Sequence, residues 1–458
     1  MKLVVRNLFI FLGILAMMAV GPSVKTARAG APPGPLSLPE AITAALKHNP
    51  QVQAARYEVE AADAQTIQAR SGLLPQIDAS ETYSNTNSPL WAFGTKLNQG
   101  AITAQDFDPN RLNDPDAINN FKTALTLTWR LFDGGQTWIA WRQAQQNQEA
   151  GQLALRRSEQ SIIAQAAMAY AGCLLAQENR LVIGQALDTA RAHLKVVQDR
   201  ERSGLAVKSD VLRAQVRIAD LELQRLQADS QLQVAIARLG AVMGRSDQES
   251  GAVTLSSTFE KRSPLEGELA DWIKQALDQR PDLKQLQLQE EIAKRQIERA
   301  RAGHYPTLAL QSNYEINSEN FGDSKDSYNV GAVLQFNLYS GQRISAQSAE
   351  AAATLAKLSA MRQGLALGVQ VETQKAFYEA QSTWQSIQVA QSAVDQAEEG
   401  LRIVANRYEN GLLALINLLD AQVALQQTQT QHFKALHDYQ VARISLALAS
   451  GKINKDFE

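Results

Sequence analysis

The chain has 458 residues, of which 45% are hydrophobic, 6% aromatic and 20% charged, with 13 prolines and one cysteine. This is too apolar for a disordered segment and too poor in cysteine for a disulfide scaffold. With 45 Lys and Arg against 47 Asp and Glu the formal charge is -2, so no overall field recruits nucleic acid.

At the N-terminus, Lys2 and Arg6 precede an apolar run from Leu8 to Val20, a Gly21-Pro22 break follows, and Ala27-Arg28-Ala29 offers small residues to a signal peptidase. Residues 1-29 therefore read as a cleavable secretory signal. The run is well short of the roughly 20 residues that a spanning helix needs. Removing Lys2, Arg6, Lys25 and Arg28 takes the charge to -6. Cys173 lies far from the cleavage site in an apolar helical stretch and reads as a small core residue. No second apolar run approaches 18 residues, so any membrane crossing by the mature chain must be a β-barrel.

Residues 30-250 form a first structural repeat. Strands are expected at about 75-84 and 121-132, separated by a loop at 85-120 rich in Asn, Asp, Pro and Gly. The second strand is amphipathic, with Phe121, Leu125, Leu127, Trp129 and Leu131 on one face and Lys122, Thr126, Thr128 and Arg130 on the other. Residues 116-263 contain no proline, which suits long helices, and Thr137 to Ser203 would span roughly 100 Å as one helix. A tight turn, RSGLAVKSDVL at 202-212, forms a helical tip. Beyond it, one seam runs through Val211, Ala214, Ile218, Leu221 and Ala228, and a second through Leu212, Val216, Ala219, Leu223 and Leu226. The seams lie roughly 150° apart, so the helix needs neighbours on both sides. A helix buried inside a bundle would also carry such a pattern.

After an inter-repeat linker at 251-268, residues 269-458 form a second structural repeat. Pro50, Pro75 and Tyr83 match Pro281, Pro306 and Tyr314 at an offset of 231, while Leu131, Gly134, Gly204 and Leu212 match Leu338, Gly341, Gly411 and Leu419 at 207. The offsets differ by 24, the size of one insertion in the first half. Strands are expected at about 307-317 and 328-339, and a second helical tip, ENGLLALINLL, at 409-419. A length of 9-11 residues with apolar and polar alternation fits a transmembrane strand, although a half-buried strand of a soluble sheet has the same pattern. Four strands cannot close a barrel alone, since known barrels begin at about eight.

This order of elements, with SLPEAITAALKHNP at 37-50, LFDGG at 131-135 and the Gly-Leu pairs at 204 and 411, resembles the TolC-like outer-membrane efflux protein family. The resemblance implies an α+β membrane protein with an internal tandem duplication. It also implies a homotrimer in the outer membrane of a Gram-negative bacterium, with four strands per chain in a 12-stranded transmembrane β-barrel, continued by a long periplasmic α-helical barrel, which makes 85-120 an extracellular loop. The implied function is the passive exit duct of a tripartite efflux or type I secretion system, reached by a periplasmic adaptor (membrane fusion) protein and, through it, an inner-membrane pump. Carried over residue by residue, the adaptor-docking tips fall on Gly204, Leu205, Gly411 and Leu412, and the periplasmic gate on Asp210, Tyr408, Asn417 and Asp420. Two positions depart from the pattern. Leu413 stands where some members have a gating Arg, and Asn417 removes one acidic ring.

No enzymatic motif competes with this reading. Among five histidines only His432 and His437 are close, five apart and without a cysteine partner, so no metal or other cofactor is expected. There is no Walker loop, GxGxxG or GxSxG, so energy for transport must come from a partner. The alternative from another class is a soluble periplasmic coiled-coil scaffold protein.

Overall fold

The computed structural model describes residues 35-245, 255-256, 258-259, 263-320 and 322-455. The signal expected at 1-29 lies outside the described residues. The chain divides into two compact units, one of residues 63-146 with 291-355, the other of 31-62, 147-290 and 356-458.

The duplication is carried element by element. Helices α1 (Leu38–His48) and α7 (Leu269–Gln279) have the same length and start 231 residues apart, and α2 (Pro50–Ser71) and α8 (Pro281–Arg301) keep that offset. At 207 apart stand α5 (Gln136–Arg202) and α9 (Arg343–Glu409), both of 67 residues, and α6 (Lys208–Val242) and α10 (Leu415–Ala449), both of 35. The helix expected at 137-203 is thus one uninterrupted helix, and its counterpart matches it residue for residue. No described helix is long and apolar enough to cross a membrane.

In the first unit four strands form one antiparallel sheet in the order β1 (Gln76–Thr86), β2 (Ile118–Phe132), β3 (Thr307–Ser318) and β4 (Lys325–Gln335). The pairing of β2 with β3 joins the two repeats, with one register shift between Arg130 and Phe132. Each repeat's first strand starts directly after a proline, Pro75 or Pro306, which lacks the N–H a ladder needs. The fourth strand, expected at 328-339, instead starts at Lys325 and stops at Gln335. Gln335 pairs with Thr307, the first residue of β3, so Phe336 to Tyr339 have no partner strand beside them.

The faces of the sheet divide by chemistry. Ile77, Leu125, Leu127, Trp129, Leu310, Tyr314, Tyr328 and Val330 share one face by register, and several are strongly exposed, including Tyr328 at 79%. The other face carries Lys122, Thr126, Asn313 and Glu315, tied by a Lys122–Glu315 ion pair at 3.8 Å and a Thr126–Asn313 hydrogen bond at 3.1 Å. Among the described residues β1 and β4 each keep one unpaired edge.

The segment expected as a loop at 85-120 is largely folded. It contains α3 (Pro89–Asn98), a 3-10 turn (Ala104–Phe107) and α4 (Pro109–Asn113), each with a proline or a polar residue at its start. The cause is capping chemistry: Asp106 accepts from the Thr103 N–H and hydroxyl and pairs with Lys96 at 2.8 Å, and the Asp108 carboxylate accepts from the Asn110 N–H.

In the second unit the largest core gathers α1, α2, α5 and α6 around Ile42, Val52, Ile162, Tyr170, Cys173 and Met243, all nearly inaccessible. Tyr170 satisfies its buried hydroxyl by donating to the Leu36 carbonyl at 3.0 Å. The described part of the expected linker is pinned here, since the Ser256 N–H also donates to Leu36. Of the two seams on α6, Val211, Ala214, Leu221 and Ala228 are buried within the chain, whereas Leu212, Val216, Leu223 and Leu226 remain exposed.

Candidate periplasmic gate and docking tips

Each long helix ends in the same way. The Gly204 N–H donates to the Glu201 carbonyl and the Leu205 N–H to the Arg200 carbonyl; Gly411 and Leu412 repeat this on Tyr408 and Arg407. Both glycines adopt the left-handed conformation (φ 72° and 74°) that this helix stop requires. The stop turns the following residue outward. Leu205 is 78% exposed and Leu412 73%, so both expected docking leucines lie bare at the turns.

Behind the turns a compact apolar cluster holds Val197, Val211, Ala214, Tyr408, Leu415 and Leu418. Tyr408 is buried in it, and Asp210, in the first turn of α6, is half-buried nearby. Burial pushes the Tyr408 phenol above its ordinary pKa; the Arg200 guanidinium opposes this, and the Asp210 carboxylate adds to it. These two expected gate residues therefore share one environment.

The other two do not join them. Asn417 is exposed and donates only to the Ala414 carbonyl, at a long 3.4 Å. Asp420 is exposed and makes no ion pair among the described residues, while Leu413 is half-buried.

The residue that sequence reasoning missed is Arg200. Its guanidinium donates to the carbonyl oxygens of Tyr408 at 3.1 Å and Glu409 at 2.7 Å, and lies over the Tyr408 ring at 4.9 Å from its centroid. It neutralises the last carbonyls of α9, where the helix dipole is negative. The available signal was its position: Arg200 stands four residues before Gly204, as Arg407 stands four before Gly411. Two turns further back, burial holds the His193 imidazole below its ordinary pKa, against the opposing charge of Glu409.

The model of the family described as outer membrane efflux protein matches residues 41-245 and 272-452, one block in each repeat. The chain belongs to the outer membrane efflux protein family. It is an outer-membrane channel of export, and the scaffold alternative falls away. Among relatives, it is 23% identical to the alkaline protease secretion protein AprF of Pseudomonas aeruginosa, over 92% of this chain and 85% of AprF. It is also 23% identical to the outer membrane protein TolC of Escherichia coli, over 89% of this chain and 80% of TolC. The fold is that of the Campylobacter jejuni CmeC outer membrane channel, with a TM-score of 0.77 at 17% identity over 92% of this chain and 87% of that one. In an outer membrane efflux protein the one-sided apolar sheet is the lipid-crossing element.

Proposed function

We propose that three copies of this chain assemble into a passive export duct that crosses the outer membrane and continues through the periplasm. Each copy gives its four strands to a closed 12-stranded barrel, β4 of one pairing with β1 of the next. The observation that carries this reading is the sheet itself: an exposed apolar face bounded by two unpaired edges. In hydrocarbon each unsatisfied edge group costs several kcal/mol, so an open four-stranded sheet has no stable place there until other chains close it.

The turns at Gly204-Leu205 and Gly411-Leu412 then serve as docking points for a periplasmic adaptor, with the bare leucines as apolar contacts. Asp210 and Tyr408 belong to the closing contacts of the tip. Asn417 and Asp420, exposed and without an ion pair among the described residues, are left free to face the duct. The channel performs no reaction; an inner-membrane pump, reached through the adaptor, supplies the energy and selects the cargo.

Native mass spectrometry of the detergent-solubilised protein tests the assembly. A trimer is the expected species. A monodisperse monomer that retains its β circular-dichroism signal overturns the proposal.

A further inference from the structure

Arg200 and Arg407 are equivalent residues of the two repeats. They lie 207 apart in helices that begin and end at that same offset, and each is the residue whose carbonyl accepts the N–H of the tip leucine. Their side chains differ in circumstance. Arg200 is half-buried and clamps the carbonyls of Tyr408 and Glu409, so it reaches from the end of the first repeat's long helix to the end of the second's. Arg407 is exposed, with no hydrogen bond or ion pair to its side chain among the described residues.

The acceptors that the repeat operation assigns to Arg407 are the carbonyls of Glu201 and Arg202, since these lie 207 before Tyr408 and Glu409. They cannot be reached as the same contact within one chain, because the first repeat's helix end already faces the second repeat through Arg200. In a ring of duplicated chains, contacts from first to second repeat alternate with contacts from the second repeat to the first repeat of the next copy. The second kind of contact is the one still open to Arg407.

We infer that Arg407 forms between neighbouring copies of this chain the clamp that Arg200 forms within it, donating to the Glu201 and Arg202 carbonyl oxygens at the C-terminal end of the neighbour's α5. The inference rests on the trimeric reading above. It also supplies the tip with an inter-subunit arginine in a chain whose position 413 is Leu.

The two clamps are not chemically identical. Glu201 stands where the second repeat has Tyr408, so the ring stacked under Arg200 is replaced by a carboxylate. That carboxylate is only loosely engaged within the chain, 3.9 Å from the Lys208 ammonium. The clamp between copies is thus ionic and open to screening by salt, whereas the one within the chain has an aromatic face and a buried cluster behind it.

Cysteine cross-linking in outer-membrane vesicles tests this, in a Cys173→Ala background. Treated with a short bismaleimide, because a guanidinium reaches farther than a disulfide spans, the pair Arg202→Cys with Arg407→Cys is expected to yield denaturation-resistant dimers and trimers on a gel. The control pair Arg200→Cys with Glu409→Cys should close within one chain and stay at monomer mass. Arg202 and Arg407 are exposed, and should the first pair hinder assembly, Ser203→Cys with Arg407→Cys probes the same approach. If native mass spectrometry gives a trimer while neither inter-subunit pair links copies and the control pair closes, the clamp is wrong and the trimer stands. A monomer by native mass spectrometry overturns both.

Discussion

The side-chain amide of Asn49 donates to the main-chain carbonyl of Val242 at 2.9 Å, fastening the break between α1 and α2 to the end of α6. The second repeat makes the same joint with different chemistry. There the equivalent residue is Arg280, which donates to the Ala449 carbonyl at 3.3 Å while its guanidinium pairs with Asp282 at 2.7 Å and with Glu372. Both residues precede a proline and share an extended backbone (ψ 127° and 126°), which is why each interrupts its helix.

The two joints should therefore fail differently. Asn49→Ala removes two partly buried hydrogen bonds, the one to Val242 and the one its Oδ1 accepts from the Gln51 N–H at 2.8 Å, and is expected to cost about 2 kcal/mol. Arg280→Ala leaves Glu372 without this partner and Asp282 with only the longer 3.7 Å contact to Arg157, and should cost about 3 kcal/mol, the low end for a broken buried pair because Glu372 stays half in solvent. Burial pushes the Asp282 carboxyl up, but the hydrogen bond from Arg280, with the charges of Arg280 and Arg157, outweighs it and holds the pKa below the usual value of 3.8. A depressed carboxyl stabilises the fold above that value and loses its contribution as pH falls through the folded-state pKa. Urea midpoints of the purified protein at neutral pH and below pH 4 check this, with Asp282→Asn expected to remove part of the acid sensitivity.

Gly244 is the glycine whose replacement should matter most. Its φ is 72°, and a Cβ there would sit 2.3 Å from the His48 carbonyl oxygen, which is backbone and has nowhere to move. At Gly204 the φ is the same, but a Cβ meets nothing within 4 Å. Gly204→Ala is thus expected to cost about 1 kcal/mol of backbone strain and to assemble normally. Gly244→Ala should cost several times as much and reduce the yield of folded protein in the outer membrane, as a quantitative blot will record. Equal yields would mean that the joint has slack the packing does not suggest.

The folded cap between β1 and β2 is anchored through a buried amide chain. Gln99 donates to the Asn119 carbonyl at 2.7 Å and to the Asn120 side chain at 3.0 Å, and Asn120 donates to Asn317 at 2.9 Å. Breaking the first link with Gln99→Ala leaves Asn120 short of a donor and should cost about 2 kcal/mol locally. Added protease should then nick residues 87-117 on intact cells faster than in the wild type. A cysteine at exposed Asn98 should react with an impermeant maleimide on the same cells; no labelling of a folded protein would mean that the cap is not extracellular.

Much of this was legible in the residues. Two offsets, 231 and 207, were enough to locate the repeats, because a duplicated element keeps its prolines and glycines where the backbone demands them. Alternation marked the strands, but Phe336 and Leu338 continue it beyond the point where Pro306 ends the partner ladder, so the pattern ran past the pairing. The cap at 85-120 looked like a loop since polar and turn-forming residues also cap short helices, and only Asp106 and Asp108 in place distinguish the two. Arg200 was legible as a position four residues before a tip glycine, but not as a clamp. Its acceptors are main-chain carbonyls more than 200 residues away, and a carbonyl leaves no mark in a sequence.

The gate assignment makes the last prediction. Asp420 is exposed and makes no ion pair among the described residues, so Asp420→Ala should leave folding and assembly unchanged. If three copies bring this carboxylate to the duct axis, their mutual repulsion favours bound cations, and removing them should weaken block by divalent cations and raise conductance in planar bilayers. Arg200→Ala should act on a separate part of the tip. It abandons two helix-end carbonyls and the face of Tyr408, and is expected to loosen closure and raise conductance without altering cation block. Tyr408→Phe keeps the ring and the carbonyl that Arg200 uses, so its effect should be smaller than that of Arg200→Ala. Because the phenol pKa is raised, the wild-type tip keeps its full stability below pH 10 and loses it as pH climbs through the folded-state value, a loss that Tyr408→Phe should abolish. Wild-type conductance together with wild-type cation block in Asp420→Ala would remove that residue from the pore.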